Sequence, residues 1–345
     1  MQRVFYAASP MHLICINELF QINKDRLFVL LRKKETYLND QIYKTLEFFE
    51  IQKYEILWIE PNPLNRFLKE KIHIRALKRN YKNVRTCFTI FDFRNSFQQS
   101  LRIHFPKSNF TLIDDGFHTV INFNKYINHG VFVATGQYRG LLGNFKKFLY
   151  FGSQYKSILR KKISIFSFYG LELKLDQKST NTLMSLREQI FLKNKTYDKN
   201  IVYFIGGRNA ERGAVSIHEE LYVIRSLNKY YQNLNMQMVY IAKRSTSRGK
   251  LEQIQNEGIH YLKFNLPLEL ELINQNRIPS TFISFGSTLM KTLPILFEGI
   301  ECLFIDADAI FSKLSKMDTI NQAKIFQEKK VNFLCIDKEG NVIVK

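Results

Sequence analysis

The chain has 345 residues, 45% of them hydrophobic and 24% charged, a composition that excludes a disordered chain and a length that suits two ordinary domains better than one. With 51 Lys and Arg against 31 Asp and Glu the formal net charge is +20, which favours anionic lipid, acidic glycan or nucleic acid as partners without choosing among them. Cys15, Cys87, Cys302 and Cys335 form no C-x-x-C pair, so neither a disulfide framework nor a zinc knuckle is indicated.

In chain order, short β-branched and aromatic runs alternate with helical patterns. Strands are expected at Arg3 to Ala7, Leu27 to Leu31, Ile56 to Ile59, Thr86 to Phe91 and Phe110 to Ile113. Helices are expected at Met11 to Gln21, Tyr37 to Phe49, Leu64 to Lys78 and Ser96 to Phe105. Such alternation implies crossover connections and a mainly parallel sheet with helices on both faces. A less regular stretch, Gly136 to Asn200, follows.

The alternation resumes with strands at Ile201 to Ile205, Gln237 to Ile241, Thr281 to Ser284, Cys302 to Ile305 and Phe333 to Ile336. Helices near His218 to Asn233, Lys250 to Asn256, Leu289 to Phe297 and Asn321 to Lys329 separate them. The expectation is therefore an α/β chain of two doubly wound domains, 1–190 and 198–345, facing each other across a cleft. No apolar run approaches the roughly 20 residues of a membrane-crossing helix. Residues 1–8 lack a secretory-signal pattern, so the expected location is the cytoplasm.

Several segments carry residues suited to chemistry. Asp114-Asp115-Gly116 ends an apolar strand, where ligands of such sheets bind. One acid there can take a proton from an attacking hydroxyl, although Asp-Gly is also an ordinary turn pair. Ser284-Phe285-Gly286-Ser287-Thr288 lies between a strand and a helix; its hydroxyls and backbone N–H groups suit a phosphate, or simply cap the helix. Tyr240-Ile241-Ala242-Lys243-Arg244 delivers two cations to a strand end, either to stabilise departing charge or as a solvated loop. Gly206 and Gly207, followed by Arg208, Glu211, Arg212 and Gly213, permit close backbone approach to a ligand but match neither a Walker loop nor the dinucleotide fingerprint.

Taken in this order, the segments resemble the bacterial sialyltransferases of the lipooligosaccharide and polysialic acid type. Ser9-Pro10-Met11-His12-Leu13 is similar to their Ser-Pro-x-Gln segment, with His12 at the Gln position. Asp114-Asp115-Gly116 is similar to their acid-acid-glycine motif, whose leading acid is the general base. Gly206-Gly207 through Val215-Ser216 resembles the opening of their nucleotide domain. Glu269, in Pro267-Leu268-Glu269, stands where a Glu grips the donor ribose, and Ser287-Thr288 looks like their paired-hydroxyl phosphate site. One position departs: the family has Tyr-Ile-Pro-His, whereas here Lys243 stands for the His and Ala242 for the Pro. A lysine stabilises charge but is a poor proton donor at neutral pH.

The resemblance implies a GT-B-like, Rossmann-like pair of domains, the first (1–190) for acceptor and catalytic base, the second (198–345) for a CMP donor. It implies an inverting, metal-independent glycosyltransferase moving a sialic, pseudaminic or legionaminic acid from CMP to a bacterial surface glycan, lipooligosaccharide or capsule, with no cofactor beyond the CMP-sugar. Catalytic roles fall to Asp114, Asp115 and Lys243. Donor binding falls to Gly206, Gly207, Lys243, Arg244, Glu269, Ser287 and Thr288, and the acceptor side to Ser9, His12 and Gly116.

Two basic segments add a partner. Leu64 to Arg85 carries eight Lys or Arg against Glu70, and Tyr138 to Lys162 carries seven and no acid, interleaved with Leu141, Leu142, Phe145, Phe148, Leu149 and Phe151. Such mixtures lie peripherally on anionic membranes, or form a helix whose apolar side joins the core. Two rival readings stand beside the resemblance. Asp306 and Asp308 end an apolar strand in an Asp-x-Asp pattern of metal-dependent nucleotide-diphosphate-sugar transferases, and the charge and aromatic content fit a non-catalytic binder of glycan or nucleic acid. No nucleic-acid motif is visible, and nucleic acid is not the expected partner.

Overall fold

A computed structural model describes all residues except 1, 21–25, 33–38, 82–83, 139, 170, 172–177, 208, 308, 312–331 and 345. The chain divides into two compact units, Met1–Thr182 and Leu183–Lys345.

The first unit is built on a seven-stranded sheet ordered β3-β2-β1-β4-β5-β6-β7, every pair of which is parallel. Its strands are β1 (Gln2–Ala7), β2 (Arg26–Arg32), β3 (Tyr54–Trp58), β4 (Thr86–Ile90), β5 (Asn109–Ile113), β6 (Ser164–Ser167) and β7 (Lys178–Thr180). The intervening helices are α1 (Pro10–Phe20), α2 (Asn39–Phe48), α3 (Pro63–Asn80), α4 (Ser96–His104), α5 (Phe117–Lys125), α6 (Gly140–Phe151) and α7 (Tyr155–Leu159). Central strands of a parallel sheet are covered on both faces, and in β1 the consecutive residues Val4, Phe5, Tyr6 and Ala7 are all fully buried.

The helix starts follow from local chemistry. Asn62 caps α3, its side-chain oxygen accepting from the Leu64 and Asn65 amides, with Pro63 at the first helical position, where the missing N–H costs nothing. Asn95 caps α4 through the Gln98 amide at 3.1 Å.

The stretch that looked irregular in sequence holds α6, α7, β6 and β7. Much of its course is fixed by Arg102 of α4, which is buried. The guanidinium donates to the carbonyls of Phe132 at 2.6 Å, Ile158 at 3.4 Å and Lys161, and to Gln99 Oε1 at 2.7 Å. Burial lowers its pKa to about 9.

The second unit repeats the plan. Its sheet is ordered β10-β9-β8-β11-β12-β13-β14 and is parallel except for the antiparallel β13–β14 pair. The strands are β8 (Thr196–Ile205), β9 (Gln237–Ile241), β10 (His260–Leu262), β11 (Arg277–Ser284), β12 (Glu301–Asp306), β13 (Asn332–Ile336) and β14 (Val342–Val344). The helices are α8 (Met184–Phe191), α9 (Ile217–Asn233), α10 (Arg248–Asn256), α11 (Leu268–Asn274) and α12 (Leu289–Leu296). The helix expected at Asn321 to Lys329 lies outside the described residues.

Proline lacks the amide a central strand needs, and the β8–β11 register shifts between Pro279 and Thr281. At the start of α9 a capping box operates: the Glu219 amide donates to Ser216 Oγ at 3.1 Å and the Ser216 amide to Glu219 Oε2 at 2.7 Å. α8 packs with α11 and α12 and so belongs to this unit, although its sequence position lies inside the expected first domain.

Candidate functional site

In both sheets the strand order reverses beside the first strand of the unit, between β1 and β4 and between β8 and β11. Connections leave on opposite faces there and open a crevice beyond the strands' carboxyl ends. The candidate residues of each unit fall at or next to these positions.

In the first unit, β1 leads into Ser9, whose hydroxyl accepts the His12 amide at 3.4 Å at the start of α1. The His12 ring is buried and stacks on Phe91, at the end of β4, with centroids 3.9 Å apart. Its Nδ1 lies 3.0 Å from the Ala8 backbone nitrogen. An amide N–H can only donate, so Nδ1 accepts and the ring hydrogen sits on Nε2. Nε2 lies 3.1 Å from Asp115 Oδ1 and therefore donates to it. His12, expected at a glutamine position, does what a glutamine amide would do there: it presents an N–H to a carboxylate.

The two adjacent acids at the end of β5 have opposite environments. Asp114 is fully buried. Its Oδ1 accepts the Ser167 hydroxyl at 2.7 Å and its Oδ2 the Phe168 amide at 2.8 Å, which ties the end of β5 to the end of β6. Burial, with a smaller push from the neighbouring charge of Asp115, raises its pKa to about 7 against the pull of Ser167, Phe168 and Thr119. The Asp115 side chain is 32% exposed, and its amide donates to Thr119 Oγ1 at 2.9 Å. Gly116 follows with φ 59° and ψ −144°, a conformation essentially reserved for glycine. That turn lets α5 start directly after the two acids.

A proton acceptor must first be reachable. By that standard Asp115 is the acid presented outward and Asp114 the one turned into the sheet, whereas the family resemblance points to the leading acid as the base. Ser167, Thr119 and Phe91 were not singled out from sequence.

In the second unit, Gly206 and Gly207 follow β8, Lys243 and Arg244 follow β9, and Ser287 and Thr288 follow β11. Gly206 is packed hard against β9: its amide donates to the Ile241 carbonyl at 3.0 Å, and a side chain there would overlap the Tyr240 hydroxyl. Behind this turn lies a buried ion pair, Lys250 Nζ to Glu220 Oε1 at 2.7 Å. Lys250 also reaches Glu211 and the Gly207 carbonyl, each at 3.4 Å, and the Ala210 amide donates to Glu220 Oε2 at 3.1 Å. This cluster fixes the path of the glycine turn, and its members are too far apart in sequence for spacing to have shown it.

On the other side of the crevice, Ser284 Oγ donates to the Ile205 carbonyl at 3.1 Å and ties β11 to β8. The Ser287 hydroxyl, largely buried, accepts the Leu289 amide at 3.4 Å and so caps α12; Thr288 makes no side-chain cap bond. Glu269 is 3% exposed and accepts the Thr292 hydroxyl at 2.9 Å, so its carboxylate braces α12 from within. Asp306 Oδ2 lies 3.8 Å from the Cys335 thiol, and Asp308 lies outside the described residues. Among the described residues, no three His, Cys, Asp or Glu side chains gather as a metal site.

No protein-family model matches the chain, and no curated protein does. Solved structures do. A UDP-N-acetylglucosamine 2-epimerase is similar over 99% of this chain and 85% of its own, with TM-score 0.54 at 12% identity. The UDP-GlcNAc 2-epimerase of Methanocaldococcus jannaschii is similar over 96% of this chain and 94% of its own, with TM-score 0.50 at 11% identity. An α/β-galactoside α-2,3-sialyltransferase from Photobacterium phosphoreum is similar over 96% of this chain and 98% of its own, with TM-score 0.52 at 11% identity. At this identity the likeness carries the fold alone: two Rossmann-like units in one chain, of the GT-B-like class.

Proposed function

We propose that the chain is an inverting, metal-independent glycosyltransferase that moves a nonulosonic acid of sialic, pseudaminic or legionaminic type from its CMP donor to a hydroxyl of a bacterial surface glycan, lipooligosaccharide or capsule. The observation that carries the reading is the outward Asp115 carboxylate at the end of β5, held by the Nε2–H of a buried, tautomer-fixed His12. An acid placed in this way serves a hydroxyl nucleophile. A fold shared with a sialyltransferase and the order of the sequence motifs support the same reading.

In this scheme Asp115 takes the acceptor proton while the acceptor oxygen bonds to the anomeric carbon. The bond from that carbon to the phosphate oxygen breaks, and its electron pair leaves on CMP. Lys243, Arg244, Ser287, Thr288 and the backbone of Gly206 and Gly207 stabilise the departing phosphate. Asp114 and Glu269 act from behind, one fixing the turn that carries Asp115 and the other fixing α12.

Likeness to UDP-GlcNAc 2-epimerases makes a UDP-sugar the rival ligand. Thermal stabilisation of the purified chain by CMP, UDP and GDP separates the two, because a ligand of the folded state raises its melting temperature. CMP should stabilise most, and Asp115→Asn should cut transfer by about 10²- to 10⁴-fold while CMP stabilisation persists. Stabilisation by UDP but not CMP, or near-wild-type turnover in Asp115→Asn, would overturn the proposal.

A further inference from the structure

The surface of the first unit carries an unusual pair of helix faces. On α3, Leu64, Leu68 and Ile72 recur every four residues and are 60%, 50% and 63% exposed. On α6, Leu141, Leu142, Phe145 and Phe148 are 60 to 90% exposed. These side chains are not the core-facing side of their helices. That side is already filled, by Ile74 and Leu77 on α3 and by Gly143 and Phe151 on α6, with Phe151 packed among Val133, Tyr138 and Ile158. The two helices are fastened together: the Phe67 and Tyr150 rings meet edge to face at 5.2 Å, and the Tyr150 hydroxyl donates to Glu70. Large apolar side chains left exposed on two joined helices mark an interaction site.

Charge decides what the site accepts. Arg75, Lys78 and Arg79 of α3, Lys146 of α6 and Lys156 of α7 are exposed. The only acid in these three helices, Glu70, is buried and held by Arg66 at 2.9 Å and by Tyr150. The helices therefore present cations and apolar groups outward and withdraw their one carboxylate. A second copy of the chain would bring like charges together, and a nucleic acid has no use for seven exposed aliphatic and aromatic side chains. An anionic bilayer satisfies both features, with the apolar groups entering the headgroup boundary and the cations meeting lipid phosphates.

We infer that α3 and α6 form a docking surface by which the first unit binds peripherally to an anionic lipid bilayer. The inference stands on this surface alone and does not depend on the transfer chemistry. No helix among the described residues is long and apolar enough to cross a membrane; the attachment inferred from α3 and α6 is to the surface.

The test is flotation of the full chain with vesicles of phosphatidylcholine alone and of phosphatidylcholine containing about 30 mol% phosphatidylglycerol, beside sedimentation without lipid. Wild-type protein should float with the anionic vesicles and stay behind with the neutral ones. Phe145→Gln combined with Phe148→Gln, at exposed positions that leave folding intact, should weaken partitioning about tenfold or more. Lys78→Glu with Arg79→Glu, an independent pair, should weaken it on anionic vesicles by a similar factor. Equal flotation on both vesicle types, wild-type flotation by both variants, or a dimer that the Phe variants dissolve without any lipid binding would overturn the inference.

Discussion

Asp114→Asn tests whether the buried acid is a structural post or an ionised base. Its carboxyl has an ordinary value of 3.8 and is pushed up to about 7 by burial. Below the unfolded value both states are protonated and the native state gains the full benefit of the neutral acid. As pH rises through the folded value, that benefit is lost, because the native state must then hold a buried carboxylate. Linkage makes the loss about 2–3 kcal/mol between about pH 5 and pH 7.5. Asparagine does not titrate and can keep both hydrogen bonds, its oxygen accepting the Phe168 amide and its nitrogen donating to Ser167. The stability of Asp114→Asn relative to wild type should therefore rise by about 2–3 kcal/mol over that interval, while the slopes of all other groups cancel in the difference. Trp58, the single tryptophan, ends β3 in the same unit, so denaturant unfolding followed by its fluorescence reports the relevant transition. A difference that stays flat with pH would mean that Asp114 is ionised throughout, and the division of labour between the two acids would be wrong.

His12→Ala should lower kcat about tenfold with little change in KM, because the ring orients Asp115 rather than binding substrate. His12→Gln, which restores an N–H donor, should recover part of the loss; equal activity in all three proteins would exclude a positioning role. Lys250→Met leaves Glu220 buried without its cation, and burial already raises that carboxyl. It should cost about 3 kcal/mol, read by calorimetry as a drop of roughly 6–12 °C in the affected transition. Adding Glu220→Leu should recover most of the loss, and a single variant as stable as wild type would remove the ion pair from the account of the glycine turn.

Most of the fold was legible because parallel strands buried on both faces are written as local apolar runs. β1, β2, β4, β5, β9 and β12 lie within two residues of where β-branched and aromatic clusters place them. The stretch 136–200 was not legible, because its order comes from distant partners. Arg102 fixes the path around residues 132–161, and Ser167 at the end of β6 is held by Asp114, 53 positions earlier. At the candidate site, the Asp-Asp-Gly sequence located the acids, but nothing local distinguished them. Which one turns inward depends on the strand that arrives beside β5, and which one turns outward on a histidine from α1. The apolar residues of α6 show the converse limit: periodicity identified an amphipathic helix, but only the packing revealed that its greasy side faces away from the core.

The fan of bonds from Arg102 has a further implication. Apart from Gln99 of its own helix, it grips main-chain oxygens, so the ribbon leading into and out of α6 keeps its route whatever residues that helix displays. The exterior of this lobe is thus free to change its chemical character by point substitution, whereas a single exchange of the guanidinium hidden in α4 would loosen the excursion.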